Sequence, residues 1–103
     1  MRPGEAVRYA TAGQVPAGAE RLGEDLAVLA GVVWHLAGCR EGGEFHLGTV
    51  ALAACLNCSP ATAGRRLHRL IDLGIVHRVR RGTPKSRKVS RYQFGRMPAA
   101  SSV

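Results

Sequence analysis

Residues 52–76 read LAACLNCSPATAGRRLHRLIDLGIV, and residues 77–94 continue HRVRRGTPKSRKVSRYQF. Asn57 divides the first stretch, because Asn tolerates a positive φ better than most residues. Ahead of it, residues 49–56 form a short helix. Behind it, Ser59 offers an N-cap oxygen, and Pro60 takes the first helical position, where its missing N–H costs nothing. The next helix therefore spans residues 60–73 and stops at Gly74. Strands over residues 75–81 and 88–94 follow, joined by the loop 81–88, whose tip is shaped by Gly82 and Pro84. The pattern is two helices around a tight turn, then a basic hairpin.

The chain has 103 residues, a formal net charge of +8 and 46% hydrophobic residues, which suits one small globular domain with affinity for a polyanion. The charge is uneven. Glu5, Glu20, Glu24, Asp25, Glu41 and Glu44 lie in the N-terminal half, and beyond residue 60 the only acid is Asp72. Arginine and lysine accumulate there instead, which argues against an ordinary mixed, solvated surface.

The helix over residues 60–73 has two faces. Ala63, Leu67, Leu70 and Ile71 share one and should bury. Pro60, Ala61, Thr62, Arg65, His68 and Arg69 share the other, with Arg66 toward its flank. A helix entering a major groove needs small residues near its start and long donors further along. Pro60, Ala61 and Gly64 meet the first need and Arg65 the second. An arginine that bonds guanine O6 and N7 together contributes about 1–3 kcal/mol of discrimination. His68 and Arg69 reach bases or phosphate, and Ser59 and Thr62 suit phosphate contacts that set register. Arg80, Arg81, Lys85, Arg87 and Lys88 crowd the hairpin loop, where they suit a minor groove or its flanking phosphates. Tyr92 and Phe94 are expected to pack beneath that loop.

Leu52-Ala53, Asn57-Cys58-Ser59, Thr62-Ala63, Arg65, Leu67, Leu70 and Gly74-Ile75-Val76, with a short strand at Phe45 before them and the basic hairpin after, resemble the winged helix-turn-helix superfamily over residues 22–94. That superfamily includes bacterial regulators of the MarR, ArsR and GntR types and the DNA-binding domains of some plasmid and phage replication proteins. The chain departs from the pattern at Cys58 and Ala63, where larger aliphatic residues are common, and at Gly64 early in the helix. The resemblance implies a mainly α fold with a small β-hairpin (α+β), three helices plus a two- to three-stranded wing. It also implies sequence-specific binding of double-stranded DNA, with helix 60–73 in the major groove and loop 81–88 as the wing. A transcriptional repressor or autoregulator acting by occupancy is the expected role. The alternatives are a replication, partition or conjugation factor, a protein-interaction winged helix module, and an RNA binder.

Upstream, residues 1–19 are rich in Gly, Ala and Pro without a sustained period, and read as a flexible arm unless they dock. The domain proper is expected over 20–95, with a tail over 96–103. A helix is predicted over residues 20–38, with Leu22, Leu26, Leu29, Val33 and Leu36 on one face and Gly38 at its end. Val28, Val32, His35 and Cys39 form a second stripe. Either the arm covers it, through Val7, Tyr9 or Val15, or a second subunit does. The expectation adopted is a homodimer contact, since small DNA readers often pair to match two half-sites.

Cys55-x-x-Cys58, with Cys39 and either His35 or His46, has the elements of a zinc site, but a single CxxC is a weak signal and Cys often serves as a small apolar residue. Packing is the reading adopted for these thiols over a metal site or a redox switch. No catalytic residues, cofactor, metal or small-molecule ligand are expected. The carboxylates form no acid/base pair, the histidines lack partners at triad spacing, and no phosphate-cradling GxxxxGK is present. No apolar run reaches the roughly 18 residues that span a bilayer. The odd cysteine count and the lack of a secretory pattern point to the cytoplasm.

Overall fold

A computed structural model describes residues 2–80 and 90–97 of the chain. Its architecture is mainly helical with a small three-stranded antiparallel sheet, an α+β arrangement. In chain order the elements are α1 (Pro3–Thr11), a 3-10 turn (Ala19–Leu22), α2 (Glu24–Leu36), β1 (Glu44–His46), α3 (Thr49–Leu56), α4 (Pro60–Asp72), β2 (Val76–Arg80) and β3 (Arg91–Phe94).

The N-terminal segment is the main departure from expectation. It is not a free arm but a nine-residue helix docked on α2 and α3. Pro3 opens α1 in the first turn, Glu5 and Arg8 sit at the ends the helix dipole favours, and Ala6 and Ala10, one turn apart, are buried. The thinness of that apolar face hid it. Two alanines give a weak periodic signal, but they let helix backbones approach closely. Gly31 on α2 completes the contact. A Cβ built there would stand 2.7 Å from Val15 Cγ1 and 2.8 Å from Ala10 Cβ.

Docking of α1 also decides the second stripe on α2. Val32 is fully buried and His35 is 8% exposed. The Tyr9 ring lies 5.1 Å from the His35 ring, and His35 Nε2 donates to the Gln14 carbonyl at 2.7 Å. The expected dimer face of Val28, Val32, His35 and Cys39 is thus corrected. Val32 and His35 are buried within the chain itself, and His35 meets Tyr9 and Gln14 of the N-terminal segment. Cys39 lies beyond the helix in an exposed turn, at φ 58°, with its thiol 3.4 Å from His35 Nδ1.

The helix expected over 20–38 is also shorter than its periodicity suggested. Gly23, at φ 89° and ψ 159°, breaks it into the 3-10 turn and α2. A side chain would resist that backbone, which glycine adopts freely. Glu24 and Asp25 then occupy the first turn of α2, and Gly38, at φ 79°, follows its end.

One core joins all these elements. Leu29, Val32 and Val33 of α2, Leu52 of α3, Leu67 and Leu70 of α4, and Ile75 and Val76 leading into and opening β2 are its largest fully buried side chains. Each contributes about 1.5–3 kcal/mol by leaving water. The sheet has the order β1-β3-β2. Phe45 pairs with Tyr92 and Val76 with Phe94, so one face of the sheet lies on the core. Between Arg78 and Arg80 the β2–β3 register slips, leaving Val79 as an extra residue, and a bulge of this kind bends and twists a strand. Arg96 and Met97, expected to begin a tail, instead make an ion pair with Glu41 at 3.6 Å and a packing contact with the core. No helix among the described residues is long and apolar enough to cross a membrane.

Candidate nucleic-acid interface

The candidate interface is built on the turn between α3 and α4. Asn57 adopts φ 57° and ψ 47°, the left-handed conformation its sequence predicts, and caps α3 with its N–H directed back to Ala54 O. Two residues later Ser59 takes an extended conformation, and its Oγ accepts the backbone N–H of Thr62 at 3.2 Å. Pro60 follows at the start of α4. A left-handed residue, an N-cap and a helix-initiating proline thus turn the chain over residues 57–60, and α3 and α4 pack against each other.

Helix α4 is sharply two-sided. Ala63, Leu67 and Leu70 are buried, and Ile71 is half-buried against the same core. Ser59, Ala61, Arg65, His68 and Arg69 are exposed together, with Thr62 half-buried beside them. No acid interrupts this exposed set, because the only acid on α4 is Asp72 at its far end. The residues expected to meet a polyanion therefore share one side of α4.

Three of its polar residues are linked. The Ser59 hydroxyl donates to Thr62 Oγ1 at 3.0 Å, and Arg65 Nη2 donates to the same oxygen at 3.3 Å. These bonds draw the Arg65 guanidinium toward the start of the helix. Arg66 is diverted instead. Its Nη2 lies 3.3 Å from Asp25 Oδ2 at the start of α2, and its side chain is half-buried. Expected as a DNA contact at the flank of this face, it is set apart as a cation already paired with an acid. Asp25 is 41 residues away in the chain, so no local pattern foretold the pair.

Of the residues expected in the hairpin loop, Arg80 ends β2, while Arg81, Lys85, Arg87 and Lys88 lie outside the described residues. Tyr92 and Phe94 are each 3% exposed, and the Tyr92 ring stacks on Phe45 with centroids 5.8 Å apart, which removes both rings from base stacking. The sequence reading passed over Arg78. This exposed residue of β2 holds its guanidinium 5.8 Å above the Tyr92 ring, an arrangement that orients a cation at the sheet edge. Its place two residues after Val76, on the same side of a strand, was the available signal. Arg91, by contrast, has its Nε 3.2 Å from a Glu44 carboxylate oxygen.

The three thiols are free. Cys58 packs against the core, as a small apolar residue in the turn would, and Cys55 is half-buried. Among the described residues no group of three or more His, Cys, Asp or Glu side chains is placed to hold a metal ion.

Comparison with protein-family models, with curated proteins and with solved structures gives no match.

Proposed function

We propose that this chain is a sequence-specific double-stranded DNA-binding protein of winged helix-turn-helix type, which regulates transcription by occupying an operator. In this reading α4 enters the major groove, α3 braces it, and the β2–β3 hairpin with its basic loop forms the wing. One observation carries the proposal. The exposed face of α4 presents Ser59, Thr62, Arg65, His68 and Arg69 without an acid among them, while its opposite face is locked into the core by Ala63, Leu67 and Leu70.

The physical case has three parts. A helix can probe a groove about 12 Å wide only if its outer face is free and its inner face is fixed, and α4 meets both conditions. Small residues at its start, Pro60 and Ala61, permit close approach to the bases. The cations of residues 65–96 then supply affinity through counterion release, with the logarithm of the affinity falling by about 0.9 per phosphate contact for each unit of log salt.

Selection of bound sequences from random duplex DNA tests the proposal. A defined enriched site with strongly salt-dependent affinity is expected, and its symmetry reports whether one copy or two bind. Binding that favours structured RNA over duplex DNA, or no binding to either at low salt, refutes it.

A further inference from the structure

We propose that the Thr62 hydroxyl acts with Arg65 as a paired hydrogen-bond donor that selects guanine on its major-groove edge. The inference rests on the duplex-binding reading above and concerns how the same face discriminates.

Ser59 Oγ accepts the backbone N–H of Thr62 at 3.2 Å and donates its own proton to Thr62 Oγ1 at 3.0 Å. Arg65 Nη2 donates a second proton to Thr62 Oγ1 at 3.3 Å. A threonine hydroxyl has two acceptor lone pairs and one donor proton. Ser59 and Arg65 occupy the two lone pairs, so the remaining capacity of Thr62 is its proton, directed away from both partners. Arg65 is a donor and never an acceptor. The pair therefore presents donors only.

Base edges differ in what they offer to such a pair. Guanine shows two adjacent acceptors, N7 and O6. Adenine shows an acceptor beside a donor, cytosine a donor, and thymine one acceptor beside a methyl group. A donor-only pair meets an unmatched donor on adenine and cytosine and finds a second acceptor only on guanine. The position fits this role, since Thr62 lies half-buried in the first turn of α4, beside the core face, and Arg65 is exposed one turn further on. Thr62 is a positioning residue for Arg65 as well as a donor, because its oxygen anchors the guanidinium.

The test uses the duplex selected by the wild-type protein, with each guanine replaced in turn by adenine or by 7-deazaguanine, which lacks the N7 acceptor. Wild type, Thr62→Val and Thr62→Ser are titrated against each duplex at several salt concentrations. Thr62→Val keeps the branched shape and the capping N–H while removing the hydroxyl, and Thr62→Ser restores it. The wild-type protein should lose about tenfold or more in affinity at one guanine on either replacement. Thr62→Val should lose most of that discrimination at the same guanine, and Thr62→Ser should recover it. Full discrimination by Thr62→Val overturns the proposal. So does a loss spread evenly over all duplexes, which marks a phosphate contact. If Thr62→Val fails to fold by circular dichroism, the wild-type replacements decide, and indifference to 7-deazaguanine at every position overturns the proposal. If wild type selects no sequence at all, the duplex reading itself has failed.

Discussion

Replacing Gly31 with alanine should destabilise this protein, although the same change stabilises a helix whose surface is free. Alanine is favoured over glycine in a helix interior by about 1 kcal/mol. At Gly31 the new methyl would stand 2.7 Å from Val15 Cγ1, 2.8 Å from Ala10 Cβ and 3.4 Å from Ala10 Cα. Real Cβ atoms do not approach so closely, and one of the neighbours belongs to helix α1, so a rotamer change cannot relieve both contacts. Overpacking of this kind costs about 1–3 kcal/mol. The net expectation is a loss of about 1 kcal/mol, seen as a melting point lowered by about 4–8 °C for a domain of this size. Gly64 is the internal control. It also lies inside a helix, but a Cβ there meets only Thr49 Cγ2 at an ordinary 3.8 Å, so Gly64→Ala should raise stability by up to about 1 kcal/mol. Urea unfolding of the two variants supplies the free energies. Amide hydrogen exchange then locates the effect, with the α1 amides losing protection in Gly31→Ala while those of α4 keep theirs. If Gly31→Ala stabilises the protein as much as Gly64→Ala does, α1 is not packed on α2 and the account of the N-terminal segment is wrong.

The left-handed turn makes a second prediction. Asn57→Ala should cost about 1 kcal/mol in urea unfolding, because alanine resists φ 57°, whereas Asn57→Gly should be close to neutral. Arg65→Ala should relax sequence preference in a duplex selection and weaken the cognate site by about tenfold, and unchanged cognate affinity would mean that another element reads the bases. Arg87→Ala or Lys88→Ala, in contrast, should weaken all duplexes evenly and reduce the salt slope by about 0.9 each. Asp25→Asn should change stability by no more than about 1 kcal/mol, since its ion pair with Arg66 is exposed on the Asp25 side. It should also free Arg66 for phosphate and steepen the salt slope by about 0.9, a change read from titrations at several salt concentrations.

Much of the site was legible because its signals are local. Asn57, Ser59 and Pro60 specify a turn and a helix start through their own backbone preferences, and the structure places all three as those preferences require. The two faces of α4 follow from the 100° step of a helix, and Ala63, Leu67 and Leu70 are buried where that periodicity puts them. The sheet was legible in outline, through Phe45 and the alternation of Val76, Tyr92 and Phe94. Its order was not. Pairing β1 with β3 brings residues 44–46 against 91–93, and no neighbour in the chain encodes a partner so distant.

What the sequence by itself determined is the helical hairpin of α3 and α4, its turn, and the division of α4 into a core face and a cationic face, because each depends on residues within a few positions of one another. The tertiary structure alone decided the rest. It turned the expected arm into α1, and it gave the second stripe of α2 a partner within the same chain. It also withdrew Arg66 to Asp25 while leaving Arg65 with Thr62. These outcomes depend on which surfaces meet. Ala6 and Ala10 carry too little apolar area to announce a helix, yet Ala10 fits closely against the bare backbone of Gly31, and that complementarity exists only once both helices are in place.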